Sequence, residues 1–190
     1  MEALPKRKPT RLQGFDYNSI GMYFITICTQ NRRCLLSRIV GTGVPARSGD
    51  GLVNYGKLVG TGVPDCPKVE LTKYGAIADK YIRQMNDFYD HLSVEAYVIM
   101  PNHIHFLVFV KENGHSGTPV PTTNVTRANS SFSKFISTFK RFCNKEYGEN
   151  IWQARSNDHI IRDREDYEEH LRYIRDNPKR WRYDELYAEE

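Results

Sequence analysis

The sequence predicts an α+β fold in which helices pack on an antiparallel sheet. Strand-like segments rich in β-branched and aromatic residues alternate with segments whose apolar residues recur at helical spacing. Two adjacent apolar segments are joined by a Pro-Asn turn signal, which favours a hairpin. The predicted order of strand, helix, strand, strand, helix, short strand and helix matches a split βαββαβ, ferredoxin-like sheet. Because many functions use such a sheet, the fold class alone does not indicate a function.

The first half of the chain predicts three strands and one helix. A strand is predicted over 21–29, where β-branched and aromatic residues dominate. A helix is predicted over 72–90, because apolar residues recur at helical spacing and Thr72 is suited to cap the N-terminus. Segments 94–100 and 103–110 flank the turn signal, so we expect them to pair as an antiparallel hairpin.

The second half predicts two helices separated by an extended segment. The first helix covers about 132–147, with aromatic residues on one side and basic residues on the other. A short extended segment runs from Trp152 toward Arg162. The last helix is predicted to start near Arg164 and to stop at 177–178, where a proline disfavours continuation.

Composition indicates an ordinary globular protein. The 190 residues are 39% hydrophobic and 26% charged, so we expect one domain over 1–190 with a real core. We expect a cytoplasmic location without a membrane segment, because the sequence shows neither a bilayer-spanning run nor a signal peptide. The four cysteines lack CxxC spacing and are interpreted as reduced thiols. A net charge of +4 permits an anionic partner without requiring one.

A repeat of 19 residues lies within 40–77, where the sequence Val-Gly-Thr-Gly-Val-Pro at 40–45 recurs at 59–64. Two copies are too few for a stacked repeat fold, and their Gly and Pro content predicts loop or hairpin. We therefore expect surface insertions at about 40–68 and at 113–129, together with a basic N-terminal arm over 1–13.

Two histidines stand at the start of the second hairpin strand. His103 and His105 are separated by one residue, so in a strand their side chains share a face and lie about 6–7 Å apart. Both imidazoles could then reach one cation. The alternative is that the two histidines are hydrogen-bonded residues of a core that covers both faces of the strand.

The last helix carries a second chemical signal. Tyr173 has Asn177 four residues later, one turn away on the same helix face, and among the twelve tyrosines it alone has Asn or Gln at this spacing. An amide oxygen suits a hard cation, so His103, His105 and Asn177 could form a three-ligand site beside a tyrosine nucleophile. The alternative is a tyrosine packed on the sheet and an asparagine that caps the helix.

Four segments in order resemble the motifs of the REP-associated tyrosine transposases, which are single-tyrosine HUH transposases of the insertion-sequence type. The matching segments are the opening strand at 21–32, Met-Pro-Asn-His-Ile-His at 100–105, Trp-Gln at 152–153 with Asp-His-Ile-Ile-Arg at 158–162, and the tyrosine segment at 170–178. The chain departs from the family in two ways. It has Ser156 and Asn157 where the family has an aromatic pair, and it carries the duplicated insertion.

The resemblance implies an HUH endonuclease-like fold and an enzyme that cuts and rejoins single-stranded DNA at hairpin repeats. Tyr173 would form a 5′-phosphotyrosine, while His103, His105 and Asn177 would hold Mg²⁺ or Mn²⁺. The protein would work as a monomer or homodimer on single-stranded or hairpin DNA in the nucleoid. Residues expected to contact DNA are Lys6, Arg7, Lys8, Arg32, Arg33, Lys140 and Arg141, although each could instead be a solubilising charge.

Three other functions share parts of this pattern. A rolling-circle replication initiator or relaxase would share the metal and the tyrosine, but such proteins normally carry further domains. A nucleotide hydrolase with a His-x-His-x-His strand is disfavoured because the third position is Leu107. A non-catalytic ferredoxin-like nucleic-acid-binding module would need neither the metal nor Tyr173. At this stage His159 is interpreted as a structural residue.

Overall fold

The structure is a computed structural model that describes residues 19–41, 67–111 and 131–189. The strands are β1 (Gly21–Thr29), β2 (Ser37–Val40), β3 (Lys68–Leu71), β4 (Leu92–Ile99), β5 (His103–Val110) and β6 (Trp152–Ile161). The helices are α1 (Lys73–Phe88), α2 (Ser131–Tyr147) and α3 (Arg164–Arg180), and short 3-10 turns follow β1 and α3. The predicted basic arm with Lys6, Arg7 and Lys8, and the predicted insertion at 113–129, lie outside the described residues.

The main sheet has the strand order β4-β5-β1-β6, and all of its neighbours are antiparallel. α1 connects β1 to β4 across the intervening β5, and α2 connects β5 to β6 across β1. Each connection therefore skips one strand, which defines a split βαββαβ sheet. The predicted α+β, ferredoxin-like fold is confirmed.

The sheet is covered on both faces. Side chains of α1 and α2 form one core with alternate residues of β5, among them Ile104, Phe106 and Val108. The intervening residue Leu107 packs on the other face with Ile174 of α3. β5 is therefore central and buried on both sides, as its two apolar faces predicted.

The predicted bounds of α1 are accurate, whereas the predicted end of α3 is not. The Thr72 hydroxyl accepts hydrogen bonds from the first turn of α1, which confirms the predicted cap. The predicted stop at 177–178 is wrong, because α3 continues through Pro178 to Arg180. A proline in the last turn removes little of the helical hydrogen bonding, and Pro178 is buried together with Ile174. The predicted short extended segment is a full edge strand, β6.

β2 and β3 form a separate antiparallel ribbon that pairs Ser37 with Leu71 and Val40 with Lys68. Most of the 19-residue repeat, residues 42–66, lies between these strands and outside the described part of the chain. The predicted insertion thus leaves and re-enters the described structure at adjacent positions. Within the described ranges, none of the helices is both long and apolar enough to cross a bilayer.

Candidate active site

His103 and His105 lie side by side on the α3 face of the sheet. Both are buried, and their ring centroids are 4.5 Å apart. His103 Nδ1 lies 2.8 Å from Asn102 Oδ1, and His105 Nδ1 lies 2.8 Å from the Thr26 hydroxyl. Each imidazole is therefore anchored through Nδ1, which leaves Nε2 directed elsewhere.

The hydrogen bonds of Asn102 fix the tautomer of His103. The Asn102 amide nitrogen donates to the carbonyls of Arg32 and Leu186, at 3.2 and 2.8 Å, so its oxygen must face the imidazole. An amide oxygen only accepts, so His103 Nδ1 carries the proton and donates it. His103 Nε2 then presents a lone pair, which is the form that binds a metal.

Both imidazoles are held neutral. Burial, assisted by the charge of Arg32, lowers the pKa of His103 to about 3. Burial and the neighbouring His103 hold the pKa of His105 well below its ordinary value. At neutral pH neither ring needs to lose a proton before it can bind a cation.

Three buried polar atoms of the site have no hydrogen-bond partner among the described residues. They are His103 Nε2, His105 Nε2 and Asn177 Oδ1, one from each of the three predicted ligands. A buried polar atom without a partner costs about 1–3 kcal/mol, so three in one site indicate a group that binds them. Two imidazole nitrogens and an amide oxygen form a donor set that suits a divalent cation.

Asp184 completes the site, and the sequence reading missed it. A carboxylate oxygen of Asp184 and one ring nitrogen each of His103 and His105 all lie within 4.8 Å of one another. The carboxylate also accepts hydrogen bonds from Asn177 Nδ2 at 2.9 Å and from the backbone N–H of Leu186 at 2.7 Å. Asp184 follows the turn Trp181–Tyr183, in which Trp181 is buried and its ring lies 5.9 Å from that of His103. Trp181 was the one sequence feature that could have indicated this position, because a large aromatic residue just before Asp184 favours packing of the chain back onto the sheet.

Tyr173 stands at the edge of the same site. Its ring packs edge-on against His105, with the centroids 5.1 Å apart, and its side chain remains partly exposed. The hydroxyl donates to Asp184 Oδ2 at 3.2 Å. Burial, with the negative charge of Asp184 beside it, raises the pKa of Tyr173 to about 12. The phenol is therefore protonated at neutral pH, and its proton already points at a carboxylate.

A cleft of about 250 Å³ opens onto this tyrosine. Its lining includes Phe24, His105, His170, Tyr173 and Asp184. The structure thus brings together Tyr173, both histidines and Asn177, the four site residues that the sequence singled out for chemistry. It adds the carboxylate of Asp184 and the cleft through which these residues can be reached.

The basic residues expected to contact DNA are dispersed. Arg32 follows β1 and donates to the backbone carbonyl of Glu185 at 3.0 Å, beside the histidines, and Arg33 next to it is exposed. Arg141 is exposed on α2. Lys140 is largely buried and donates to the backbone carbonyl of Gln153 at 2.7 Å. Its ammonium group therefore joins α2 to β6.

A second cleft of about 720 Å³ runs between α2 and β6. Lys140, Arg141 and Arg155 line it together with Trp152. The exposed positive charges of this cleft are those of Arg141 and Arg155, because Trp152 is fully buried and Lys140 is bonded to the backbone of β6.

Comparisons with known proteins bear on the fold. No protein-family model matches the chain. An uncharacterized protein of Haemophilus influenzae is 27% identical over 195 aligned positions, which cover 96% of this chain and 94% of that protein. Among solved structures, a REP-associated tyrosine transposase bound to a REP hairpin is similar, with 20% identity and a TM-score of 0.52 over 92% of this chain and 73% of that one. The likeness in fold to the tyrosine transposases, expected from the sequence, is confirmed.

Proposed function

We propose that the chain is a metal-dependent single-strand DNA endonuclease and transposase that cuts and rejoins DNA at hairpin repeats through a 5′-phosphotyrosine. One observation carries the proposal. The side chains of Tyr173, Asn177, His103 and His105 meet around one carboxylate, Asp184, and the last three keep a buried ligand atom without a partner among the described residues. A purely structural core has no need of unpaired polar atoms beside a solvent-accessible tyrosine.

His103, His105 and Asn177 would hold the divalent ion, with Asp184 beside them. Amide and carboxylate oxygens favour Mg²⁺ or Mn²⁺, whereas structural zinc prefers a closed set of Cys and His. When bound, the ion polarises a non-bridging phosphate oxygen and offsets the charge that develops on the phosphate. The neutral state of both imidazoles keeps them available as ligands.

Tyr173 is the proposed nucleophile. Its oxygen forms a bond to the phosphorus of a phosphodiester, the bond from phosphorus to the 3′ oxygen breaks, and that oxygen leaves as a free 3′-OH after taking a proton from solvent. The phenolic proton passes to Asp184, which already accepts it in a hydrogen bond. Such a base is needed because the raised pKa of Tyr173 makes the free phenol a weak nucleophile. Attack by another 3′-OH on the phosphotyrosine reverses these bond changes and rejoins the strand.

The proposed partner is single-stranded DNA that carries a hairpin, in the nucleoid. The fold neighbour was solved with a REP hairpin, which supports this class of ligand. Arg32, whose charge acts on His103, would contact phosphates near the cut, and the exposed charges of Arg141 and Arg155 would contact the backbone of an unpaired strand. Contact from Arg33 remains a prediction. Contacts from Lys6, Arg7 and Lys8 remain predictions. The protein would act as a monomer or homodimer.

End-labelled oligonucleotides with a hairpin and single-stranded flanks provide the test. Wild-type protein with Mg²⁺ or Mn²⁺ should yield a cut strand and a protein–DNA adduct on denaturing electrophoresis, and a chelator should abolish both. Transfer of the label to a second strand would establish rejoining, whereas cutting without transfer would indicate a nickase. Binding without any cutting, with either ion, would refute the proposed activity in favour of a nucleic-acid-binding module.

A further inference from the structure

The most exposed large apolar side chain of the described residues lies beside the proposed active site. Tyr183 ends the turn Trp181–Tyr183 and is 88% exposed, although Trp181 in the same turn is buried. An aromatic side chain normally stabilises a fold by removing its ring from water. The ring of Tyr183 contributes little burial of this kind, so its face is available to pack against a ligand.

Tyr183 and the proposed nucleophile line one cleft. The cleft has a volume of about 540 Å³, which is within the range of sites for small ligands. It meets the smaller cleft beside His105, because Tyr173 and Asp184 line both. A phosphodiester at Tyr173 joins two nucleotides, and the two adjoining clefts offer a place for each of them.

Two cations line this cleft at the end of α3. Lys179 and Arg180 are the last residues of the helix, and both side chains are exposed. Lys179 pairs with Asp176 at 3.2 Å, but a surface ion pair contributes little stability, so the ammonium group can turn to a phosphate instead. The lining also holds Asp184 and Glu185, of which the first faces the proposed metal ligands. The two cations are therefore the groups that would attract a phosphate next to the one being cut.

We propose that Tyr183, Lys179 and Arg180 form a subsite for a nucleotide that adjoins the cut phosphate, an inference that rests on the proposed function. The Tyr183 ring stacks on the base of this nucleotide, while Lys179 and Arg180 contact the next phosphate along the strand. Every base has a π face, so the subsite holds the strand without reading its sequence. Tyr183 is a positioning residue, since it keeps the strand across Tyr173 and takes no part in the bond changes.

The first test measures binding of a hairpin oligonucleotide with single-stranded flanks to Tyr173→Phe protein, which should leave the strand uncut. Tyr183→Ala should weaken binding by about fivefold to a hundredfold, the contribution of one stacked base. Tyr183→Phe keeps the ring and should bind as the parent does. Because Tyr183 is exposed, neither variant should change the melting temperature. Equal binding by Tyr183→Ala and the parent would overturn the proposal.

Removing single bases distinguishes stacking from a general loss of structure. Each base of the flanks is replaced in turn by an abasic site. At one position the replacement should weaken binding to the parent and have no further effect in Tyr183→Ala, because base and ring then lose the same contact. That position should adjoin the phosphate that wild-type protein cuts. Additive losses at every position, or coupling only at a base distant from the cut, would contradict the subsite.

The salt dependence of binding tests the two cations. Lys179→Ala combined with Arg180→Ala should flatten the plot of log affinity against log salt concentration, because fewer counterions are released. Arg182→Ala, at an exposed residue of the same turn outside the cleft lining, is the matched control and should flatten the plot less. An equal change in both would overturn the assignment of the cations to the subsite.

The subsite and the proposed activity can fail separately. Coupling between Tyr183 and a base, in a protein whose wild type never cuts DNA, would refute the proposed activity and support stacking by Tyr183. Cutting by wild-type protein without this coupling would refute the subsite and leave the activity intact.

Discussion

The two faces of the sheet use burial in different ways. On the α1/α2 face, burial is apolar throughout the contacts of β5, where Phe106 packs against Phe135 and Phe139 of α2. On the α3 face, the alternate residues of the same strand include His103 and His105, which are equally buried and keep polar atoms without partners among the described residues. One face therefore stabilises the fold by apolar burial, and the other carries the polar groups of the proposed site.

This comparison predicts that substitutions on the two faces have opposite effects. Removing an apolar side chain from the α1/α2 face should lower the free energy of unfolding and leave the chemistry of the folded fraction intact. Removing a polar side chain from the α3 face should abolish chemistry at little cost in stability.

The largest effect is expected from Tyr173→Phe. Loss of the hydroxyl removes the nucleophile while the ring still packs against His105, so the protein–DNA adduct should disappear completely. Binding of the hairpin should change by less than about 1 kcal/mol. Denaturing electrophoresis of a labelled strand measures the adduct, and a gel shift measures binding. Tyr183→Phe, at a tyrosine that is 88% exposed, is the matched control. An adduct that persists in Tyr173→Phe would place the nucleophile elsewhere.

His103→Ala and His105→Ala should each remove cleavage that depends on Mg²⁺ or Mn²⁺. Each substitution removes a buried Nε2 atom that has no hydrogen-bond partner among the described residues and that we propose as a ligand of the ion. Asn177→Ala should weaken the use of metal less, because water can replace one neutral oxygen ligand. Initial cleavage rates over a series of metal concentrations would rank the three variants. Wild-type rates in either histidine variant, or an Asn177→Ala defect as severe as theirs, would contradict this ligand set.

Phe106→Ala should be the most destabilising of these changes. It removes a fully buried aromatic side chain from the α1/α2 face, which typically costs about 3–5 kcal/mol. His105→Ala should cost much less in metal-free protein, because it also removes a buried polar atom without a partner. Urea unfolding monitored by circular dichroism gives both values, and Phe106→Leu serves if the alanine variant does not fold. If Phe106→Ala and His105→Ala lowered the free energy of unfolding equally, the two faces of the sheet would not differ in their contribution to stability.

The two faces should also differ in their response to pH. In metal-free protein, His103 has a folded-state pKa of about 3 and an ordinary value of 6.5. Between these values the unfolded chain binds a proton that the folded chain refuses, so stability present above pH 6.5 is lost as the pH falls toward 3. The loss should be of the order of a few kcal/mol. The variant lacking both histidines should show a flatter profile, and an identical one would show that other groups cause the effect.

The smallest effect is expected from shortening the repeat. Deleting 42–60 joins Gly41 to Thr61 and restores the sequence Val-Gly-Thr-Gly-Val-Pro. If the insertion is a surface loop beyond the β2/β3 ribbon, closing a shorter loop should change stability by about 1 kcal/mol or less. Thermal unfolding measures this change. Loss of cooperative unfolding would instead show that the repeat belongs to a core, in addition to the two faces of the main sheet.

Local patterns predicted most of the fold and singled out three of the residues that the structure brings together at the candidate site, His103, His105 and Asn177. The alternation along β5 and the Thr72 cap depend on neighbouring residues, so they can be read without the tertiary structure. The same holds for Tyr173 and Asn177, which share one turn of a helix. Residues brought together by packing were missed or given another role. Asp184 follows an irregular turn that no periodicity marks.

Contacts between different elements explain the remaining differences. His159, near the end of β6, meets Asp166 in the first turn of α3, a contact that the separate strand and helix patterns do not show. Lys140 was grouped with the DNA-binding residues because the helix pattern places it among other basic side chains, and the pattern does not show that it reaches the backbone of β6. Pro178 lies in the last turn of its helix, where it removes little of the helical hydrogen bonding, and the sequence rule for proline does not show how far the helix continues beyond it.

The β2/β3 ribbon has an evolutionary consequence. Because Val40 and Lys68 are paired neighbours, the separation of the two chain ends is fixed however many residues lie between them. Slippage of repeated DNA could add or remove 19-residue units at this position while the coding frame and the sheet stay intact. We expect natural variants of this chain to differ in the number of units here more readily than at any other position in the described structure.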